Sequence, residues 1–182
     1  ERFTDDGVSA YLYTVQVTGL AGGTTQKYRV SADGASGGWH TLTTDDGGAF
    51  RALIFPDSQS NDYTDWKQLA QNAAERNPDA SFFVNMGDLV DNGEDHGQWR
   101  DWFGAVNGIL DRIPVAPLMG NHETYNQQWK VREPVAYLRY FAVPENGNAE
   151  DDRRYYSFDY GPVHVTVLDT QQEEEKETHP EL

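Results

Sequence analysis

The sequence has no cysteine, and this absence excludes disulfide bonds, thiolate zinc sites and cysteine nucleophiles. Basic residues are also scarce: 14 Lys and Arg stand against 30 Asp and Glu, which gives a formal net charge of -16. A surface that coats DNA or RNA needs clustered Lys and Arg, so we predict no nucleic-acid partner of that kind. The acidity itself is typical of a soluble surface and indicates no particular ligand.

Long apolar runs are missing as well. No stretch reaches the roughly 18 residues that a membrane-spanning helix needs. The first residues, from Glu1 to Asp6, have no signal-peptide character. Hydrophobic residues make up 37% and aromatic residues 13% of the 182 positions, far more than disordered segments carry. We therefore predict a folded protein without a membrane span.

The first 46 residues predict part of a small antiparallel β domain. Residues 10–18, 26–32 and 39–44 are rich in β-branched and aromatic residues, and glycine pairs separate them as turns do. Gly and Asp then interrupt the strand pattern before a different one begins. These observations predict a domain boundary near residue 47, with domains at 1–46 and 47–182.

Strands and helices alternate after this boundary. Three apolar segments, at 50–55, 81–86 and 113–119, are typical of parallel strands that are buried on both faces. Helices are predicted between them at about 64–76 and 96–110, because apolar residues recur there at helical spacing. The order predicts a doubly wound α/β fold.

Trp99 and Trp102 lie on one face of the second predicted helix. Exposed tryptophans can form a platform for carbohydrate, but at this spacing they are far more often the core face of a helix. We therefore predict that both indoles are buried.

Polar residues follow each predicted buried strand at its C-terminal end. The three clusters are Asp57-Ser-Gln59, Gly87-Asp88-Leu-Val-Asp91 and Gly120-Asn121-His122-Glu123. Roughly 30 residues separate successive clusters, which is the length of a βαβ unit, so we expect them to meet at one edge of the sheet. Carboxylate, amide and imidazole groups without thiolates suit Mg, Mn, Fe or Zn. The alternative is that these Asp and Asn residues only cap helices or form turns.

In this order, the motifs D-x-Q, G-D-L-V-D-N-G and G-N-H-E resemble the opening set of the calcineurin-like metallophosphoesterases. The preceding β-rich segment and a later strand pair, predicted at 155–159 and 163–169, resemble the purple-acid-phosphatase branch. The resemblance extends from about residue 10 to residue 170. It implies the first half of the αββα core, preceded by part of a fibronectin-type-III-like sandwich. Residues 18–30 resemble the last strands of such a sandwich.

The resemblance also implies a role for each matching residue. Asp57 would bind a first metal ion, Asp88 would bridge both ions and Asn121 would bind the second. Gln59, where many members have His, would be a ligand or line the site, and His122 would be an outer-shell acid near the leaving group. Two ions, of Fe, Mn or Zn, would activate a hydroxide that attacks a phosphate ester, with Asp88 and His122 as catalytic residues.

The sequence departs from the family at several histidine and tyrosine positions. Asp91 stands where purple members have a metal-bound tyrosinate, so we expect no purple colour. The later strand-borne His and the Gly-His-x-His motif are absent from this chain. His164 is predicted to be a core or packing residue and His179 a surface residue, while His40 and His96 have no ligand context.

The remaining ligands are too few for two stable metal sites, which need about four ligands each. We therefore expect the chain to be part of a longer polypeptide that completes the site, and to be inactive alone. The alternative is a non-catalytic surface or binding protein with a decayed phosphatase domain. The resemblance favours a secreted or cell-surface location, and it leaves the natural substrate and the choice between monoesters and diesters open.

Overall fold

The computed structural model describes residues 2–146 and 153–171. Its strands are, in chain order, β1 (Arg2–Asp5), β2 (Val8–Tyr11), β3 (Thr25–Tyr28), β4 (Ser31–Ala32), β5 (Ala35–Ser36), β6 (His40–Thr43), β7 (Arg51–Phe55), β8 (Ala80–Met86), β9 (Val115–Leu118), β10 (Tyr156–Tyr160) and β11 (Val163–Val167). Its helices are α1 (Thr64–Arg76), α2 (His96–Ala105) and α3 (Val135–Tyr140), with a 3-10 turn at His122–Thr124. Among the described residues, no helix has the length and hydropathy of a membrane span.

A parallel sheet with the strand order β7-β8-β9 forms the centre of the α/β region. Helices α1 and α2 are the crossovers between these strands, and they pack together with Trp66 and Trp102 stacked at a centroid distance of 6.2 Å. Trp66 also meets Phe55 of β7 edge-to-face at 5.1 Å. The predicted α/β fold with a parallel sheet is confirmed.

The other face of the sheet is covered by the antiparallel pair of β10 and β11. Neighbouring residues of a strand point to opposite faces, so Phe82 and Phe83 of β8 face different layers. Phe83 belongs to the core cluster that includes the helices, whereas Phe82 contacts Phe158 and Tyr160 of β10 at 5.6 and 5.2 Å. The sheet therefore lies between a helix layer and a strand pair, with Ile54 and Met86 still exposed.

Helix α2 confirms the predicted core position of its tryptophans, since Trp99 and Trp102 are both fully buried. The helix ends at Ala105, earlier than predicted. Gly108 takes a left-handed conformation with φ +80°, which ends helical structure, while Ile109 stays buried in the turns that follow.

The N-terminal region contains shorter strands than its sequence predicts. Strands β3 and β6 pair antiparallel as expected, but the predicted strand at 10–18 is wrong beyond Tyr11. Residues 12–20 have no regular structure, and Tyr13, Val15 and Val17 are exposed. Strand propensity needs a neighbouring strand to be realised, and the described residues provide none at this position. The resemblance to a fibronectin-type-III sandwich is not confirmed.

The hairpin of β1 and β2 packs against the α/β region. Phe3 is buried with its ring edge against the rings of His96 and Tyr140, at 5.6 and 5.8 Å. Asp5 accepts a hydrogen bond from Arg132 at 2.6 Å and lies 3.3 Å from Nε2 of His96. The first residues therefore contact the second predicted domain directly, and the boundary near residue 47 stays a prediction.

Candidate metal centre

The loops that follow β7, β8 and β9 meet at one edge of the sheet, with Asp88 between the other two. The backbone N–H groups of Ser58 and Gln59 both donate to the carbonyl oxygen of Asp88, at 3.0 and 2.9 Å. From the third loop, the N–H of His122 donates to the Asp88 carboxylate at 3.1 Å. The three sequence motifs are therefore brought together, as their spacing predicted.

Asp88 lies in the left-handed backbone region, with φ +47°, directly after Gly87 with φ +89°. Residues other than glycine seldom adopt this conformation, although Asp tolerates it better than most, and such positions cluster at functional sites. Gly120 makes the close approach of the third loop possible. A Cβ atom on Gly120 would overlap the carboxylate of Asp88 and lie 2.6 Å from its backbone nitrogen.

Glu123 joins the second and third loops through its carboxylate. Its Oε1 accepts hydrogen bonds from the N–H groups of Leu89 and Val90 at 2.7 and 3.2 Å. Its Oε2 accepts from the N–H groups of Asp88 and Gly120 at 3.0 and 2.8 Å. Sequence reasoning gave Glu123 no function, because a sequence does not show which distant N–H groups a carboxylate will meet. Its place in the G-N-H-E motif was the only available signal.

The electrostatic environment of Glu123 disfavours a second negative charge. Glu123 is 1% exposed, and this burial raises its pKa to about 8, with the nearby charge of Asp88 acting in the same direction and the backbone N–H donors opposing both. Two carboxyl groups thus lie close together in a partly desolvated place. A cation bound at Asp88 would oppose this shift, because a nearby positive charge favours the ionised form of Glu123.

The oxygen atoms at this edge fit a hard or borderline cation. The Oε1 atom of Gln59 is buried and has no hydrogen-bond donor, and a buried acceptor without a partner is costly unless a cation or water satisfies it. Asn121 uses its Nδ2 to donate to the Tyr125 hydroxyl at 3.0 Å, which leaves its Oδ1 for another partner. The carboxylate of Asp57 belongs to an exposed residue in the adjacent loop.

His122 is oriented by its contacts with Asp91. Its Nδ1 lies 2.7 Å from the carbonyl oxygen of Asp91 and 3.6 Å from the carboxylate of the same residue. A carbonyl oxygen only accepts hydrogen bonds, so Nδ1 carries a proton and donates it. The Nε2 atom is then the nitrogen that can exchange a proton with another group.

The profile of the calcineurin-like phosphoesterase family matches residues 40–180 of this chain. The chain belongs to the calcineurin-like phosphoesterase family. This is a family of metal-dependent phosphoesterases, so divalent metal ions are its implied cofactors.

Purple acid phosphatases are among the relatives of this calcineurin-like phosphoesterase. Purple acid phosphatase 23 of Arabidopsis thaliana is 31% identical over 71 residues, which are 39% of this chain and 15% of that protein. Purple acid phosphatase 15 of the same plant is 30% identical over 71 residues, 39% of this chain and 13% of that protein. These matches confirm the resemblance to the purple-acid-phosphatase branch, and they span only a small part of the relatives' length.

A solved structure supports the same fold. Purple acid phosphatase PPD1 from yellow lupin (Lupinus luteus) seeds is similar with a TM-score of 0.61 at 20% sequence identity. The likeness covers 85% of this chain and 32% of the lupin chain. At this identity the comparison shows the fold, and the chain spans about a third of that relative.

The histidines outside the three loops of this calcineurin-like phosphoesterase have other partners. The predicted packing role of His164 is wrong: it is exposed and pairs with Asp159 at 2.6 Å, because alternate residues of β11 face away from the sheet. His40 lies 3.5 Å from Asp111, and His96 has the contacts with the β1–β2 hairpin described above. His179 lies outside the described residues. Within the described ranges, no cluster of three or more His, Cys, Asp or Glu side chains could hold a metal ion.

Proposed function

We propose that this chain supplies one part of a dinuclear metal centre that hydrolyses phosphate esters, and that residues outside the chain complete it. The observation that carries the proposal is the meeting of the three loops around Asp88, one of which carries the unpartnered Oε1 of Gln59. Helix capping alone does not account for this arrangement, since Asp88 is bonded to both neighbouring loops. The family profile supports the reaction class.

Four side chains would hold the two ions. Asp57, Asp88 and Gln59 would bind the first ion, and Asp88 and Asn121 the second. Bound ions of this kind neutralise phosphate charge and supply a hydroxide nucleophile near neutral pH. The ligand count from this chain falls below the four or more that stable sites need. We therefore propose that further imidazole ligands come from another part of the polypeptide.

The protein side chains around the ions would position the ester and its leaving group. Asp88 is held in one orientation by the N–H of His122, while Glu123 fixes the backbone on either side of the gap between the loops. His122, with its Nδ1 fixed by Asp91, would hold a proton at Nε2 and donate it to the leaving-group oxygen. In the protonated imidazole both nitrogens donate, so the contact with Asp91 persists.

Metal titration of the purified chain tests the metal centre. With Mn²⁺ or Zn²⁺ in a calorimeter, we expect one weak site in this chain, weakened further by Asp88→Asn. Asp101→Asn, on the exposed face of α2, is the matched control and leaves the isotherm unchanged. Binding that is insensitive to Asp88→Asn would contradict the assignment.

A hydrolysis assay tests the activity and separates it from a decayed, non-catalytic domain. We expect the chain alone to leave p-nitrophenyl phosphate and its bis-ester intact, because each ion lacks ligands. A protein that includes the downstream part of the parent polypeptide should hydrolyse at least one of the two. Tight binding of two ions by this chain with steady turnover would show that the centre is complete here. Absence of turnover in the longer, metal-loaded protein would favour the non-catalytic alternative.

A further inference from the structure

Trp129 holds its indole ring in solvent beside His122. The residue is 56% exposed, although its backbone is in the left-handed region at φ +59°. A bulky residue with positive φ is strained, and such strain persists only where the surrounding structure imposes it. Burial does not explain this position, since more than half of the residue is exposed. The conformation therefore indicates a functional use of the exposed ring.

A tight loop imposes the conformation of Trp129. The side-chain Oδ1 of Asn126 accepts hydrogen bonds from the N–H groups of Gln128 and Lys130, both at 2.9 Å. The carbonyl oxygen of Asn126 accepts from the N–H of Trp129 at 2.8 Å and from Nδ2 of Asn92 at 2.6 Å. The loop is thus closed on itself and tied to the segment that follows β8. These hydrogen bonds fix the backbone on both sides of Trp129.

Contacts between neighbouring side chains connect Trp129 to the candidate metal ligand Asn121 through Tyr125. The amide of Asn121 is bonded to the Tyr125 hydroxyl at 3.0 Å. Tyr125 lies 5.4 Å from His122 and 5.9 Å from Trp129, measured between ring centroids. Trp129 lies 6.2 Å from His122, with the two rings nearly perpendicular. The two aromatic rings therefore lie next to the imidazole that would protonate a leaving group.

We propose that Tyr125 and Trp129 form an aromatic wall that stacks a flat ring of the leaving group, so that the site prefers aryl-type phosphate esters to alkyl ones. This inference rests on the proposed phosphoesterase function and names its substrate class. Indole and phenol rings attract another ring by offset or edge contacts beyond the burial of apolar area. Among the described residues, the cation–π contact is between Arg29 and Trp39, so the indole of Trp129 is left for a ligand.

Binding of phosphonates that cannot be hydrolysed tests the preference without turnover. Benzylphosphonate and cyclohexylmethylphosphonate have the same charge and similar size, but only the first has a flat ring. With the longer, Mn²⁺-loaded protein that completes the metal centre, calorimetry should show benzylphosphonate binding roughly fivefold more tightly. Trp129→Leu should reduce this ratio to about one, and Trp129→Phe should retain most of it. Trp39→Leu is the matched control, since Trp39 is also exposed, at 65%, but lies on the N-terminal segment against Arg29.

Thermal unfolding shows whether a Trp129 variant loses the preference because it is less stably folded. Asn tolerates positive φ better than Trp, so Trp129→Asn should lose the preference while the melting temperature stays unchanged or rises. A clear fall in melting temperature would mark Trp129 as a structural residue and overturn the inference. Equal affinity of the wild type for the two phosphonates, or tighter binding of the phosphonate analogue of phosphocholine than of both, would overturn the inference alone. Failure of both phosphonates to bind would overturn the phosphoesterase site and the inference together.

Discussion

Glu123 accepts a hydrogen bond from the backbone N–H of Asp88 at 3.0 Å, across a separation of 35 residues in the chain. The same oxygen accepts from the N–H of Gly120. The carboxylate that shapes the candidate metal centre is therefore not itself a metal ligand in our assignment. Its function is to keep two backbone loops at a fixed distance.

Glu123→Gln should loosen these loops. An amide has one oxygen, so two of the four N–H donors would face an NH₂ group instead of an acceptor. We expect the free energy of unfolding to fall by about 2 kcal/mol and metal affinity to weaken. Urea denaturation followed by tryptophan fluorescence measures the first effect. Glu75→Gln on the exposed face of α1 is the control, and an equal response of the two variants would contradict the role of Glu123.

Gly120→Ala should displace Asp88, because the new Cβ atom would overlap its carboxylate. We expect a destabilisation of about 1–3 kcal/mol and loss of detectable metal binding. Gly104→Ala in α2 is a matched control, since a Cβ there meets nothing within 4 Å and alanine favours a helix by up to about 1 kcal/mol. The two variants should therefore shift stability in opposite directions. Unchanged metal binding in Gly120→Ala would count against Asp88 as a ligand.

Asp88→Asn should reduce phosphate-ester hydrolysis more than Gln59→Ala does, in a protein that contains the complete centre. The carboxylate of Asp88 would serve both ions, whereas the amide of Gln59 would serve at most one. Steady-state rates with saturating metal decide the order. Equal residual rates for the two variants would contradict the bridging role.

Stability should decline at alkaline pH because of two buried tyrosines. The hydroxyls of Tyr137 and Tyr156 both donate to the carbonyl oxygen of Pro117, at 3.1 and 2.9 Å. Burial raises the pKa of each above its ordinary value of 10. A raised pKa means that the folded state favours the neutral phenol. The stabilisation is therefore complete below pH 10 and is lost as the pH rises above that value.

The variant Tyr156→Phe separates this effect from general alkaline denaturation. It should cost about 1 kcal/mol at pH 8 through the lost hydrogen bond, yet show a shallower loss of stability between pH 10 and 11 than the wild type. Tyr13→Phe, at an exposed position, should leave both quantities unchanged. Denaturant titrations at several pH values provide the measurement. Parallel pH profiles for wild type and Tyr156→Phe would refute the assignment to Tyr156.

The elements that local pattern determines were predictable from the sequence. Helix α1 runs from Thr64 to Arg76 as predicted, because amphipathic spacing and the following Pro78 act within a few residues. The meeting of the three loops was predictable for a related reason, since βαβ spacing fixes which ends of the strands share an edge. The ligand roles assigned to these loops stay predictions.

Features that depend on distant partners were not predictable. The segment around Val15 has strand propensity, but propensity does not supply the neighbouring strand that would pair with it. The apolar neighbours of His164 indicated burial, yet only one face of β11 is covered. The function of Glu123 depends on N–H groups more than 30 residues away, and the ring of Trp129 reaches His122 through a loop whose closure the sequence does not reveal.

Removing the β1–β2 hairpin would change the surface of the α/β region against which it packs. A cut at residue 47, where the sequence pattern changes, would remove Phe3 and leave the rings of His96 and Tyr140 facing water. It would also leave Arg132 with one acidic partner, Glu94, in place of two. The excised α/β region would then carry a newly exposed apolar surface beside an arginine that has lost one of its two carboxylate partners. Self-association of that piece would reflect the site of cleavage and not the native behaviour of the protein.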